Sequence, residues 1–361
     1  MPMKVGIVGM PNAGKSTLFS ALTGVAAEAA NYPFTTIEPN VAVVPVEDER
    51  MNEVAETVKA SKIVWDTIAF HDIAGLVAGA HKGEGLGNQF LANIRETDAL
   101  LHVVRAHTDS GIVHSEGSVD PLRDISTIET ELIYADLEQA ERRLERVIKT
   151  ARGGDRRALA EQAWLQQVVA ALQKGRPART VPAPDDAPDA PQLLGSLTAK
   201  PVLFVANVDE GDVEVPPAIA EYAQAQGAGA VAVSARLEAE LGALATGDAA
   251  EMRADLGLAE SSLQTVVRGA FSLLELIAFF TAGEDKPAQT WHLRRGLTAW
   301  HAAGQIHSDI QKGFVRAEVV SWDALVRYGG YSGAREHAAL RLEGRDYLMS
   351  DGDVITVKFT P

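Results

Sequence analysis

The stretch GMPNAGKS, residues 9–16, decides the fold of this chain. It has the spacing G-x-x-x-x-G-K-[ST]; an apolar strand pattern, Lys4 to Val8, precedes it, and a helical pattern, Lys15 to Leu22, follows it. The glycines of such a loop allow a tight turn, so that backbone N–H groups and the helix N-terminus face phosphate oxygens. In this arrangement Lys15 bridges the outer phosphates and Ser16 holds magnesium. The sequence therefore predicts a protein that binds a nucleoside triphosphate.

Two further segments are typical of a phosphate-sensing switch. Residues 31–40, NYPFTTIEPN, predict an ordered loop that can move, in which one threonine completes the magnesium shell. Strand patterns follow at Val41 to Val46 and at Lys62 to His71, and the second ends at Asp72. An aspartate there orients a magnesium-bound water, and Gly75 can donate its N–H to the terminal phosphate. Taken alone D-x-x-G is a weak signal, but after a P-loop and at a strand end it is a strong one.

Composition narrows the class of protein. The chain has 361 residues, 46% of them hydrophobic, and a formal net charge of -16. That charge argues against a nucleic-acid partner held by overall charge. The excess of negative charge lies in the first 277 residues, because the ten Lys and Arg from Ala278 onward balance the ten Asp and Glu there. Neither a signal peptide nor a spanning helix is expected, and the absence of cysteine excludes disulfides and is consistent with cytoplasm.

A helical hairpin is predicted in the middle of the chain. Apolar residues recur at three- and four-residue steps from Pro121 to about Arg152, and a second amphipathic run extends from Asp155 to Lys174. Gly153 and Gly154 separate the two runs, which predicts antiparallel helices. The hairpin is either a spacer or a partner-binding arm. Five prolines in residues 176–191 predict a linker or a mobile loop.

The base-binding segment departs from the guanine-specific pattern. A strand pattern, Pro201 to Ala206, leads into NVDE, residues 207–210, where guanine-specific switches have N-K-x-D. Valine replaces the lysine, and Glu210 replaces the aspartate that accepts hydrogen bonds from guanine. Since adenine lacks those two donors, this departure makes adenine acceptable or preferred. The strand pattern Ala230 to Val233 leads to a loop that is expected to close over the base: Ser234, Ala235 and Arg236.

These motifs, together with IVHSEGSVDP in residues 112–121 and the C-terminal segments FFTAGED, AAGQIHSDIQKGFVRAEV and DGDVITVKF, resemble the YchF family of Obg-related P-loop proteins, the Obg-like ATPases. The resemblance extends over essentially the whole chain. It implies an α/β P-loop NTPase fold, Ras-like with a mostly parallel sheet, an inserted α-helical antiparallel hairpin and a C-terminal ubiquitin-like β-grasp (TGS) domain. The implied domains are residues 1–122 with 200–277 for nucleotide binding, 123–199 for the hairpin with its Pro-rich return, and 278–361 for the TGS domain.

The resemblance also implies roles for individual residues. From the resemblance, phosphate contacts are expected from Asn12, Ala13, Gly14, Lys15, Ser16 and Thr17, and magnesium ligation from Ser16 and Thr36. From their positions in the motifs, Asp72 is expected to hold magnesium through water, and base contacts are expected from Asn207, Val208, Glu210 and the loop Ser234, Ala235 and Arg236. Asn12 matches a residue that helps to hold potassium in potassium-stimulated relatives, and the backbone of Val208 is expected to meet the adenine edge.

Leu76 stands where many switches have a glutamine, and an aliphatic chain cannot orient the attacking water by a hydrogen bond. The resemblance assigns that work to His114, which by position alone is an ordinary loop histidine. Lys15, Gly75 and His114 are the expected catalytic residues.

The sequence thus predicts a cytoplasmic, mostly monomeric switch that binds ATP and ADP and slowly hydrolyses ATP with Mg²⁺, and with K⁺ as a candidate activator. The resemblance implies association with the ribosome, with RNA contacts through the TGS domain and hairpin as an open alternative, and no membrane partner is expected. Two rival functions remain open at this stage. One is a GTPase of ribosome biogenesis or translation, and the other is an ATP-sensing module with negligible turnover.

Overall fold

A computed structural model describes residues 3–28, 40–73, 86–109, 118–244, 246–258 and 260–360. Within these ranges no helix is both long enough and apolar enough to cross a membrane. The strands are β1 (Met3–Val8), β2 (Val41–Val46), β3 (Lys62–Val64), β4 (Asp66–Asp72), β5 (Ala99–Arg105), β6 (Val202–Asn207), β7 (Gly229–Val233), β8 (Leu276–Thr281), β9 (Pro287–Arg294), β10 (Phe314–Ser321), β11 (Arg341–Glu343) and β12 (Asp353–Phe359). The helices are α1 (Lys15–Glu28), α2 (Glu49–Val58), α3 (Leu86–Arg95), α4 (Pro121–Ala151), α5 (Arg156–Gln173), α6 (Ala190–Leu194), α7 (Pro217–Ala225), α8 (Ala235–Leu241), α9 (Thr246–Asp255), α10 (Ser262–Leu273), α11 (Ala299–Ile306), α12 (Ser308–Lys312), α13 (Trp322–Arg327) and α14 (Tyr331–Glu336).

The first sheet has the order β2-β4-β1-β5-β6-β7 and is parallel except for the β2–β4 pair. Its central strand β5 is buried along its whole length, because helices cover both faces of the sheet. Leu18 of α1 and Val266 of α10 pack in the core on one face, and Ile94 of α3 and Ile128 of α4 pack on the other. This arrangement confirms the predicted P-loop α/β fold and brings the carboxyl ends of the parallel strands to one edge.

The hairpin of α4 and α5 begins and turns where the sequence predicts. Asp120 caps α4 by accepting a hydrogen bond from the Arg123 N–H (3.1 Å), and proline occupies the first helical position. Gly154, with φ +77°, allows the turn, and Asp155 caps α5 by accepting from the Ala158 N–H (2.7 Å). The two helices bury a shared apolar seam that includes Val147 and Trp164.

The prediction of a linker or mobile loop at residues 176–191 is wrong. Ala178, Ala187 and Ala190 are each at most 5% exposed and pack with Trp164 in the core of the hairpin. Proline fixes backbone angles and removes a hydrogen-bond donor, but it does not prevent a segment from burying its small side chains. The segment is therefore a packed return along the hairpin.

The middle of α4 is fixed to the segment that leads into β6 by a buried carboxylate. Asp136 of α4 is 1% exposed and accepts hydrogen bonds from the N–H groups of Leu197 and Thr198 (both 2.8 Å) and from the Thr198 hydroxyl (2.7 Å). Burial raises the pKa of Asp136, and these hydrogen bonds oppose that shift. A buried carboxylate with three hydrogen bonds fixes the position of α4 against the segment before β6.

The second sheet has the order β11-β10-β12-β8-β9-β3. Its five C-terminal strands with α11 form a β-grasp arrangement, in which β12 runs parallel to β8 between two antiparallel hairpins. The sixth strand, β3, lies in the part of the sequence assigned to the nucleotide domain and pairs in parallel with β9. Met51 and Val54 of α2 enter the same core as Phe280 and Val354.

These observations correct two details of the sequence prediction. The predicted strand from Lys62 to His71 is interrupted at Trp65, so that β3 joins the second sheet while β4 joins the first. The C-terminal sheet also begins at Leu276, inside the range 200–277 that was assigned to nucleotide binding. Strand pairing decides both details: β3 pairs with β9, more than 200 residues away, and β8 pairs with β9 and β12. A local sequence pattern does not report such pairing.

Candidate nucleotide-binding site

The P-loop joins β1 to α1 and requires glycine at two positions. Gly9 has φ +154°, and a Cβ atom there would lie 2.4 Å from the Val103 carbonyl oxygen. Gly14 has φ +99°, and a Cβ atom there would lie 2.1 Å from Asn207 Nδ2. Neither position has room for a side chain, because neighbouring strands approach the loop closely. Asn12, in the left-handed region at φ +61°, completes the turn.

Lys15 lies at the start of α1 and is 7% exposed. Its Nζ donates a hydrogen bond to the carbonyl oxygen of Met10 (2.8 Å), so the side chain folds back over the P-loop. Burial lowers the pKa of Lys15, and the carboxylate of Asp72 opposes this shift. The ammonium group is thereby placed where the outer phosphates of a nucleotide are expected.

Asn207, at the end of β6, connects the P-loop, which is the phosphate half of the site, to the loops after β6 and β7, which form its nucleoside half. Its Nδ2 donates to the Ala13 carbonyl oxygen (3.1 Å), and its Oδ1 accepts from the Ala235 N–H (3.1 Å). The residue is 6% exposed. One amide side chain therefore ties the P-loop to the loop that follows β7.

A cleft of about 450 Å³ opens at this edge of the sheet. Its lining residues are Asn12, Gly14, Lys15, Ser16, Thr17, His107, Asp109, Asn207, Val208, Asp209, Glu210, Ser234 and Arg236. Ten of the predicted nucleotide-contacting residues are among them. The remaining two, Ala13 and Ala235, are 2% exposed and act through the backbone bonds to Asn207. The structure thus brings the predicted residues from three distant segments into one cleft.

Two of the predicted magnesium residues lie in the described part of the chain. Ser16 is exposed in the cleft, and Asp72 ends β4 beside Ile7 of β1. Burial raises the pKa of Asp72, and Lys15 lowers it. A hydroxyl and a carboxylate supply the oxygen ligands that Mg²⁺ prefers, and a mostly water-shelled ion needs few protein ligands, so these residues fit the metal. Among the described residues, no cluster of three or more His, Asp or Glu forms a self-contained metal site.

Three predicted site residues lie outside the described residues: Thr36, Gly75 and His114. Leu76, which replaces the usual glutamine, lies outside them as well. Their roles stay predictions. Asn12, the candidate potassium ligand, is exposed and lines the cleft, where its amide oxygen is a suitable ligand for a monovalent cation.

On the nucleoside side of the cleft, both acidic residues after β6 have partners within the protein. Asp209 Oδ2 accepts hydrogen bonds from the N–H and the hydroxyl of Thr108 (both 2.9 Å), and the first of these bonds is the main cause of its lowered pKa. Glu210 Oε1 forms an ion pair with Arg236 Nε at 2.9 Å. The N–H of Val208 donates to the Val233 carbonyl oxygen (3.0 Å). The backbone group of Val208 that is left to hydrogen-bond a base is therefore its carbonyl oxygen, an acceptor.

His107 also lines the cleft, and the sequence argument missed it. It is 8% exposed, and within the described part of the chain its Nδ1 has no hydrogen-bond partner. Bonds on both sides hold it in place, because the Ala106 N–H donates to the Asn207 carbonyl oxygen (2.9 Å) and Thr108 is bound to Asp209. Burial lowers the pKa of His107, Arg105 lowers it further, and two aspartates oppose the shift. In the sequence, the one feature that points to His107 as a site residue is its position two residues after the end of β5.

Fold and cleft together define a P-loop nucleotide-binding protein of the α/β class. Residues 4–142 match the family described as "MMR_HSR1, 50S ribosome-binding GTPase", and residues 276–360 match "YchF-GTPase_C, Protein of unknown function (DUF933)". The chain is 47% identical to the "Ribosome-binding ATPase YchF" of Haemophilus influenzae and 44% identical to that of Bacillus subtilis, over 99% of this chain and 99% and 100% of the relatives. The chain belongs to the YchF family.

Solved structures agree with this assignment. The structure titled as the YchF GTPase of Schizosaccharomyces pombe superposes with a TM-score of 0.87, at 36% identity over 99% of this chain and 97% of that chain. A GTP-binding protein from Pyrococcus horikoshii shares the fold, with a TM-score of 0.64 at 21% identity over 99% of this chain and all of that chain. The relatives' names differ in the nucleotide, since curated bacterial members are called ATPases and the yeast structure is called a GTPase.

Proposed function

We propose that this chain is a ribosome-associated switch that binds ATP in preference to GTP and slowly hydrolyses it to ADP and phosphate. The preference for ATP rests on the residues at the nucleoside side of the cleft. A guanine-specific site needs a free carboxylate to accept from guanine N1–H and the 2-amino group. Glu210, at that position, is instead paired with Arg236, and Asp209 is bound to Thr108.

Val208 supports the same choice of base. Since its N–H is bonded to Val233, the group that it can offer to a base is a carbonyl oxygen. The adenine amino group can donate to a carbonyl, whereas guanine has the acceptor O6 at the corresponding position, and two facing acceptors repel. A site that presents an acceptor there favours adenine, because bound guanine would leave both its O6 and the Val208 carbonyl oxygen without a donor.

Hydrolysis would proceed by attack of water on the terminal phosphorus. The bond from that phosphorus to the bridging oxygen of ADP breaks, and inorganic phosphate leaves. Lys15 and the P-loop amides would stabilise the charge on the phosphates, and Mg²⁺ held by Ser16, Thr36 and, through water, Asp72 would supply further positive charge. His114 would accept a hydrogen bond from the attacking water, and Gly75 would hold the terminal phosphate. Potassium at Asn12 would add charge where other switches use an arginine.

Phosphate release from ATP by the purified protein tests hydrolysis. Slow release that requires Mg²⁺ and rises with K⁺ is the expected result. The substitution His114→Ala should abolish most turnover and leave ATP binding intact. Turnover that is equal in the variant and the wild type would instead favour a sensor that binds ATP with negligible hydrolysis.

We propose association with the ribosome because the bacterial relatives are named ribosome-binding ATPases. Co-sedimentation of the full chain with purified 70S ribosomes, with ATP, ADP or no nucleotide, tests it directly. A switch should bind differently in the three states. Failure to sediment in any state would contradict this part of the proposal. The rival GTPase function predicts that GTP, and not ATP, produces the difference.

A further inference from the structure

The two sheets end in four edge strands, and three of these carry features that discourage pairing with a further strand. β2 contains Pro45, which lacks a backbone donor. β3 and β11 have three residues each and carry the charged side chains of Lys62, Arg341 and Glu343. β7 has five residues, GAVAV, with no charge and no proline. Among the described strands, the edge at β7 is therefore the one best suited to accept another strand.

The outer edge of β7 presents backbone groups that have no partner. The Val233 carbonyl oxygen accepts from the Val208 N–H (3.0 Å), so the odd-numbered residues of β7 face β6. Because the direction alternates along a strand, the N–H and C=O groups of Ala230 and Ala232 point away from β6. Within the described part of the chain, no hydrogen bond reaches these four groups. They are available to pair with a segment from outside the protein.

A cavity of about 490 Å³ lies beside this edge. Ala230 and Ala232 line it from β7, and Val213 and Val215 line it from the loop after β6. Val213 is 67% exposed, so it presents an apolar side chain to solvent next to the unpaired backbone groups. The cavity therefore offers what an added strand needs, which is backbone groups for pairing and an apolar surface for alternate side chains.

The segment that surrounds the cavity is strongly acidic. Residues 209–260 contain eleven Asp and Glu but only two Arg, and both arginines are paired with carboxylates. Asp212 and Glu214 flank Val213 and are exposed, and neither forms an ion pair with a described residue. Charge complementarity therefore requires a basic occupant. The same carboxylates would repel a second copy of this chain that approached edge to edge.

We propose that β7 binds an extended, lysine- or arginine-rich segment of a partner protein, which adds a seventh strand to the six-stranded first sheet. Main-chain hydrogen bonds to Ala230 and Ala232 would hold the segment, and its apolar side chains would pack on Val213. Its cations would face Asp212 and Glu214. The inference does not depend on the choice of nucleotide or on ribosome association, because peptide binding is measured in the absence of both.

The test uses two probes that differ only in their backbone. The first is a short fluorescein-labelled peptide of alternating valine and lysine, whose binding to the full-length protein is followed by anisotropy. The second has the same sequence with methyl groups on its backbone nitrogens, which removes the donors and keeps the charge. The unmethylated peptide should bind at least about tenfold more tightly, because only it can pair with β7. A peptide of alternating valine and glutamate should not bind, since the rim of the cavity is acidic.

The substitution Ala230→Pro closes the edge from the side of the protein. It removes an N–H that has no partner within the described part of the chain and places a ring on the outer side of β7. Edge strands tolerate proline, so circular dichroism and the melting temperature should show that the fold persists. Affinity for the unmethylated peptide should fall about tenfold or more.

A second variant leaves the strand intact and removes charge at the rim. D212N/E214Q should weaken binding of the lysine peptide about fivefold at low salt. The matched control, E53Q/E56Q, removes the same charge from exposed positions on α2, the helix that follows β2 at the opposite edge of the first sheet. It should stay within about twofold of the wild type, since only the change in net charge acts on it. Equal losses in the two variants would overturn the placement of the peptide beside Val213.

Hydrogen exchange locates the contact. The N–H groups of Ala230 and Ala232 should exchange rapidly in the free protein and slowly in the complex, because the peptide supplies their acceptors. Binding that persists after backbone methylation and in Ala230→Pro would be charge attraction without strand pairing, and it would overturn the proposal. A wild type that does not bind the lysine peptide would overturn it as well. A dimer in analytical ultracentrifugation that Ala230→Pro dissociates would assign the edge to a second copy of the chain, and the proposal would be wrong.

Discussion

The two halves of the cleft are built by different means. The phosphate half comes from one continuous segment, residues 9–17, in which backbone geometry at Gly9 and Gly14 does most of the work. The nucleoside half is assembled from side chains on the loops after β5, β6 and β7, and its bonds join residues far apart in the chain, such as Thr108 with Asp209 and Asn207 with Ala13. The chemistry of phosphate binding is therefore local, whereas selection of the base depends on tertiary structure.

Substitution of Lys15 should have the largest effect of the changes considered. Lys15→Ala removes the one buried cation that folds over the P-loop, so the developing charge on the phosphates loses its nearest protein counter-charge. We expect phosphate release from ATP to fall roughly 100-fold or more. Circular dichroism should show an unchanged fold, because the side chain makes a single hydrogen bond to Met10. Near wild-type turnover in the variant would contradict the assignment of the phosphate half.

Asn207→Ala breaks the bond between the two halves. The Ala13 carbonyl and the Ala235 N–H each lose their partner in a buried setting, at a cost of about 1–3 kcal/mol apiece. We expect ATP affinity to fall about 10- to 100-fold in isothermal titration, with a lower melting temperature. Asp209→Asn, which keeps an acceptor for Thr108, is the control and should change both quantities much less. A normal affinity in Asn207→Ala would mean that the halves act independently.

His107 should contribute a smaller share on the nucleoside side. The unpartnered Nδ1 can hydrogen-bond the base or ribose of a bound nucleotide. His107→Phe keeps an aromatic ring and removes that nitrogen, so ATP affinity should fall about fivefold. His107→Asn, which returns a polar atom near the same place, should recover part of the loss. If both variants bind ATP as the wild type does, His107 serves only to pack the loop.

The exposed ion pair at the rim should matter least for affinity. The side chains of Arg236 and Glu210 are 66% and 45% exposed, and solvent screens such a pair. We expect Arg236→Gln to change ATP affinity by less than about threefold in the same titration. A much larger loss would show that Arg236 contacts the nucleotide itself. The nucleoside half would then contribute more to ATP affinity than this account assigns to it.

The sequence predicted the phosphate half because all of its determinants are neighbours in the chain. It predicted α4 and α5 for the same reason, since Asp120, Pro121 and the glycine pair are local signals. It missed His107 because the place of that residue in the cleft depends on bonds between the loops after β5 and β6, such as Thr108 with Asp209. It also misassigned β3 and the return segment, where long-range pairing and the burial of Ala178, Ala187 and Ala190 override local composition.

The preference for ATP over GTP is the central claim, and equilibrium binding of both nucleotides with Mg²⁺ tests it most directly. The wild type should bind ATP at least about tenfold more tightly than GTP, because the acceptor at Val208 and the paired Glu210 disfavour guanine. The double substitution Val208→Lys and Glu210→Asp, which restores the guanine-specific pattern, should reduce or reverse that ratio. Tighter binding of GTP by the wild type would contradict the account while leaving the fold and the P-loop assignment in place.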